Sequence, residues 1–79
     1  MIKDNIRPYK TKGGATQFKP SIQLAMTMAE DYEGFCLACG DIQDGVEPDA
    51  QRYTCEGCGA AKVYGAEELV LMGLTWDAP

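Results

Sequence analysis

The sequence predicts a small metal-stabilised α+β domain, and three observations carry that expectation. Two Cys-x-x-Cys-Gly units, Cys36–Gly40 and Cys55–Gly59, stand fifteen residues apart. An apolar-periodic segment precedes them at residues 20–34, and a short apolar segment follows. The chain has 79 residues, enough for one domain at most. A cysteine-bearing part this short buries little surface and needs a metal, disulfides or a partner to fold.

In chain order, residues 1–19 read as a basic flexible arm. Pro8, Gly13 and Gly14 are scattered among lysines with little periodicity. Ile6, Tyr9 and Phe18 are the apolar anchors it would offer if it ordered on a partner. Residues 20–34 read as an amphipathic helix, with Pro20 at the first position or Ser21 as cap, and Gly34 as the stop. At 100° per residue, Ile22, Leu24, Ala25, Met26, Met28, Ala29 and Tyr32 share one side. That arc spans roughly 200°, wider than one small neighbour covers. Packing of this face on the ribbon is one expectation; the alternative is that its surplus, Leu24 and Met28 especially, meets a protein partner or a second copy through residues 22–32.

Residues 35–79 read as a ribbon with a C-terminal packing segment. Phe35 and the first cysteine turn lead to a strand at Asp41–Gln43, and Asp44-Gly45 and Glu47-Pro48-Asp49 form the loop tip. Gln51–Thr54 returns as a second strand and Ala61–Tyr64 adds a third. Ile42, Tyr53, Val63 and Tyr64 are the expected core. A short helix is predicted at Ala66–Met72, with Glu67 and Glu68 in its favoured first turn and Gly73 ending it. A strand at Leu69–Trp76 is the competing assignment.

The cysteines carry the chemistry. Two residues between cysteines let a tight turn aim both sulfurs at one ion about 2.3 Å away. Cys36, Cys39, Cys55 and Cys58 then form a tetrahedral set, expected to hold one structural Zn²⁺. Gly40 and Gly59 would allow backbone N–H groups to approach the thiolates, and Lys62 would offset some of the site's negative charge. A rubredoxin-like iron site is the alternative metal. A disulfide framework is disfavoured because Met1-Ile2-Lys3-Asp4-Asn5 has no secretory character, which points to a cytoplasm. No apolar run approaches the length of a membrane span.

Charge is divided unevenly. Lys3, Arg7, Lys10, Lys12 and Lys19 against Asp4 give residues 1–19 a net +4. Arg52 and Lys62 against eleven carboxylates give the rest −9, together the formal −5. The sequence contains no histidine, and Ser21 is the only serine. Imidazole-based nucleophilic catalysis is therefore excluded. Four thiolates would close a metal's coordination shell, so no catalytic metal is expected and the chain reads as a non-enzyme.

The Cys-x2-Cys-x15-Cys-x2-Cys pattern, each pair followed by Gly, resembles a zinc ribbon. The longer stretch containing Gly45-Val-Glu-Pro-Asp-Ala50 and Tyr64-Gly-Ala-Glu-Glu-Leu69 is similar to small zinc-ribbon proteins encoded in bacteriophage and prophage genomes. The resemblance covers residues 35–69 and implies a ribbon in a bacterial or phage setting, with no activity attached. The expected function is an interaction module that docks on a host protein complex. The alternatives are nucleic-acid binding through Arg7, Lys10, Lys12 and Lys19, and rubredoxin-like electron carriage. The −9 body argues against phosphate as partner.

Overall fold

The computed structural model describes residues 5–77. Residues 1–4, including the arm cation Lys3, lie outside the described residues. Elements run in the order β1 (Ile6–Lys10), β2 (Thr16–Pro20), α1 (Ile22–Asp31), β3 (Glu33–Cys36), β4 (Ile42–Asp44), β5 (Val63–Gly65) and α2 (Ala66–Leu71).

The stretch expected to be a flexible arm is instead a hairpin over residues 6–20. Strands β1 and β2 pair antiparallel from Ile6↔Pro20 to Lys10↔Thr16. The turn closes on Thr11, which accepts from the Gly14 N–H at 3.0 Å, with Gly14 at φ 88°. Two features make the hairpin hold. Ile6 and Phe18 share one face and pack on the main core, giving the hairpin an anchor beyond its own ladder. Phe18 donates its N–H to Leu37 O at 2.8 Å rather than to β1. Its cross-strand partner Pro8 therefore sits where no donor is needed, and the proline is tolerated.

Ser21 starts α1. Its hydroxyl oxygen accepts from the Leu24 N–H at 3.0 Å, and its O–H donates to Asn5 Oδ1 at 2.9 Å. Pro20 is the last residue of β2, not the first of the helix. The stop is also displaced. Tyr32 ends α1 in the left-handed region (φ 54°, ψ 48°) and donates its N–H to Met28 O. Gly34 is a strand residue, and its lack of a side chain has another cause. A Cβ there would stand 2.5 Å from Val46 Cγ1, so the strand passes Val46 only as glycine.

The second sheet has the order β4-β3-β5, all antiparallel, with Phe35 facing Ile42 on one side and Tyr64 on the other. Its central strand is Glu33–Cys36, where the sequence predicts a helix end and a lead-in to the first cysteine turn. Residues 51–54 do not form the expected strand. Only Tyr53 bridges Val63, because Arg52 at φ 56° breaks the extended run. Tyr53 is accordingly exposed and Ile42 half-buried, while Val63 and Tyr64 are buried as expected.

Two cores result. The larger joins Met28, Phe35, Leu37, Tyr64 and Leu69 between the helices and the sheet. The smaller joins Cys36, Cys55, Val46, Ala50 and Val63 beneath the cysteines. Met28 is fully buried at 0% exposure. It is a core residue and not the partner contact expected of it, because the inward face of α1 is the one turned to β3 and α2. The C-terminal segment returns to the start of α1, where Ile22 donates to Trp76 O at 2.8 Å. No helix among the described residues is long and apolar enough to cross a membrane.

Candidate metal centre

Each cysteine pair sits on a backbone knuckle, and the two knuckles repeat one another. In the first, Gly40 donates to Cys36 O at 2.8 Å and Cys36 donates to Asp41 O at 2.9 Å. In the second, Gly59 donates to Cys55 O and Cys55 donates to Ala60 O, both at 2.9 Å. Gly40 and Gly59 take φ of 82° and 80°, a conformation that side chains resist. The chain reverses there, and each glycine N–H returns to the carbonyl of the first cysteine of its pair. Strand β3 delivers the first knuckle. The Tyr53–Val63 bridge delivers the second.

The knuckles meet with all four sulfurs within 4.8 Å of one another. Cys36 Sγ lies 3.7 Å from Cys58 Sγ, and Cys39 Sγ lies 3.6 Å from Cys55 Sγ. These separations are far beyond a disulfide bond of about 2.05 Å, and all four cysteines are free thiols. A tetrahedral ion with sulfur bonds of about 2.3 Å requires sulfur–sulfur edges of about 3.8 Å. The donor set therefore fits a metal ion.

The surroundings divide the thiols. Cys55 Sγ accepts N–H bonds from Gly57 at 3.3 Å and Cys58 at 3.4 Å. Its pKa is lowered to about 7, chiefly by the Cys58 N–H. Burial pushes Cys36 and Cys39 upward, although N–H groups of the first knuckle pull the other way. Buried thiols that resist ionisation alone ionise readily when a dication supplies the compensating charge.

The structure brings Cys36, Cys39, Cys55, Cys58, Gly40 and Gly59 to one place. Lys62 adjoins the first knuckle through its carbonyl, which accepts from Leu37 N–H at 3.0 Å, and its side chain is exposed. The hairpin cations are elsewhere. Arg7 lies over the Trp76 ring, 4.0 Å from its centroid, and Lys19 over Tyr9 at 5.3 Å. Lys10 and Lys12 are exposed. Leu24 is half-buried against the main core and borders a cleft with Glu33, Asp44 and Glu56.

One surface feature is not among those the sequence predicts. An apolar groove of about 270 Å³ runs between α1 and α2, floored by Ala25, Ala29 and Ala66 and walled by Met26, Val70 and Leu71. The available signal was the surplus width of the apolar arc on α1 together with consecutive apolar residues on a short α2. What the sequence lacked was the phase of α1 against its neighbours.

Fold and site together define a small α+β domain whose four clustered cysteines could hold a metal ion. Comparison with family models, curated proteins and solved structures found no match.

Proposed function

We propose that this chain is a zinc-stabilised, non-catalytic interaction module, a phage or bacterial accessory protein that docks on a protein complex of its host cell. The observation that carries the interaction reading is the exposed apolar groove between the helices. Met26, Val70 and Leu71 are 65%, 52% and 81% exposed, at the walls of a continuous apolar hollow. Folding alone gives no reason to gather them there, and gathered apolar surface marks contact sites.

Zinc is supported by the all-thiolate donor set and by two sulfur separations, 3.7 and 3.6 Å, close to a tetrahedral edge. A structural rather than catalytic role follows from the same set, since four protein ligands leave no position for water or substrate. Direct nucleic-acid binding is weakened because Arg7 and Lys19 are engaged with Trp76 and Tyr9 of the same chain.

The test is affinity purification of the metal-loaded protein from bacterial cells, with a salt-graded DNA shift assay in parallel. A stoichiometric protein partner is expected, with colourless protein and no DNA shift at physiological salt. A red iron chromophore would support electron carriage instead. Salt-sensitive DNA binding lost on removing the hairpin lysines would support the nucleic-acid alternative.

A further inference from the structure

We infer that the groove between α1 and α2 receives a basic amphipathic helix of a partner protein. This rests on the interaction reading above and adds to it the surface and the chemistry of the occupant. The groove's apolar floor and walls set the first requirement. Its volume of about 270 Å³ falls just below the range of small-molecule sites, about 300–1,000 Å³. It is open along two helices, so it suits a row of aliphatic side chains presented by a third helix.

Charge sets the second requirement. Neither α1 nor α2 contains a single lysine or arginine, and between them they carry Glu30, Asp31, Glu67 and Glu68. Glu67 lines the groove itself. Glu30 stands one turn beyond Met26 on α1. Two of these carboxylates are placed against the local electrostatics of the helix. Glu30 and Asp31 occupy the last turn of α1, where the helix dipole is negative and no basic residue compensates. Helix stability alone disfavours that placement. A cationic partner beside the groove compensates it.

The same charges decide against two other occupants. A second copy meeting face to face would gather four carboxylates, Glu30 and Glu67 from each chain, at one interface with no cation on either helix to pair them. The basic hairpin of another copy offers Lys12-Gly13-Gly14-Ala15 at its turn, which has no large apolar side chain to fill the groove. A helix with aliphatic residues at i, i+3, i+4 and i+7 and Lys or Arg on its flanks satisfies both requirements.

The experiment uses the full, metal-loaded chain and a fluorescent synthetic Leu/Lys peptide of about 18 residues, five helical turns, with leucines along one face. Two control peptides carry the same composition scrambled, and Glu in place of every Lys. Binding by anisotropy is expected for the amphipathic Leu/Lys peptide, about tenfold or more weaker for the scramble. No binding is expected for the Leu/Glu peptide. Leu71→Asp is at a largely exposed site, so it should keep the circular dichroism spectrum and metal content while weakening binding about tenfold. Glu30→Lys/Glu67→Lys should weaken it several-fold. Equal binding by Leu71→Asp, equal binding of the scramble, or preference for the Leu/Glu peptide would overturn the proposal. So would a wild-type dimer in sedimentation that Leu71→Asp dissociates, since the occupant would then be a second copy. A cellular partner retained by Leu71→Asp would remove the groove but leave the interaction reading standing. The absence of any cellular partner would remove that reading.

Discussion

Withdrawal of the metal should release residues 51–62 before anything else in the molecule, and the size of the effect follows from how that segment is held. Twelve residues ordered at about 1–2 kcal/mol each cost about 12–24 kcal/mol of chain entropy. Five hydrogen bonds to backbone groups tie the segment to the rest: the two between Tyr53 and Val63, Leu37 N–H to Lys62 O, Gln43 Nε2 to Thr54 O and Glu56 N–H to Gln43 Oε1. At a net 0.5–1.5 kcal/mol each they supply about 3–8 kcal/mol. Buried apolar surface adds little, because Cys55 is the one fully buried side chain in the segment. The difference, about 4–21 kcal/mol, brackets the free energy of a structural zinc, about 10–16 kcal/mol. Hydrogen exchange read by mass spectrometry, on reduced protein with and without a chelator, measures this. The amides of Cys55 and Gly59, which donate to Ala60 and Cys55, should lose protection on chelation. Amides of α1 around Ala25 and Met28, packed in the larger core, should lose less. Unchanged protection of Cys55 and Gly59 in metal-free protein would refute the reasoning.

Other expectations follow from single residues. Met28→Ala should cost about 2–5 kcal/mol in denaturant unfolding, because a fully buried side chain leaves a cavity. A neutral result would return Met28 to the surface. Gly59→Ala should cost about 1–2 kcal/mol, since φ of 80° strains any L side chain, and should show as a lowered melting temperature. Glu33 has its pKa raised by burial, then by the charges of Asp31 and Asp44. Its favourable contribution is therefore present below the ordinary carboxylate pKa and lost as pH rises through the raised value. Glu33→Gln should be more stable than wild type at pH 7 by less than about 1 kcal/mol, and that gain should shrink as pH falls toward 5. A gain that grows with acidity would contradict the sign.

The cysteine cluster was legible because its signal is local: the two-residue spacing and the glycine after each pair determine the knuckle without reference to the rest of the fold. α2 was legible in part: its acidic first turn and Gly73 lie inside a short window, while Val70 and Trp76 left a strand at Leu69–Trp76 open. The hairpin was not. Pro8 and the lysines of residues 3–19 argue against a strand, and the anchoring comes from Leu37 and the main core, distant in sequence. Gly34 misled in the same way, since its need for a missing side chain comes from Val46 across the fold. The helix wheel placed Met26 and Met28 on one broad apolar side, yet they part company in the structure. Met28 faces the sheet and Met26 faces solvent. Only the position of β3 and α2 sets that phase, and so only the structure shows that the groove is walled by Met26 rather than Met28.

X-ray absorption at the metal edge of freshly isolated, reduced protein, with elemental analysis of the same sample, tests whether the four cysteines hold an ion. One zinc per chain surrounded by four sulfurs at about 2.3 Å is the predicted result. A folded chain without stoichiometric metal, or an ion bound by fewer than four sulfurs, would contradict it.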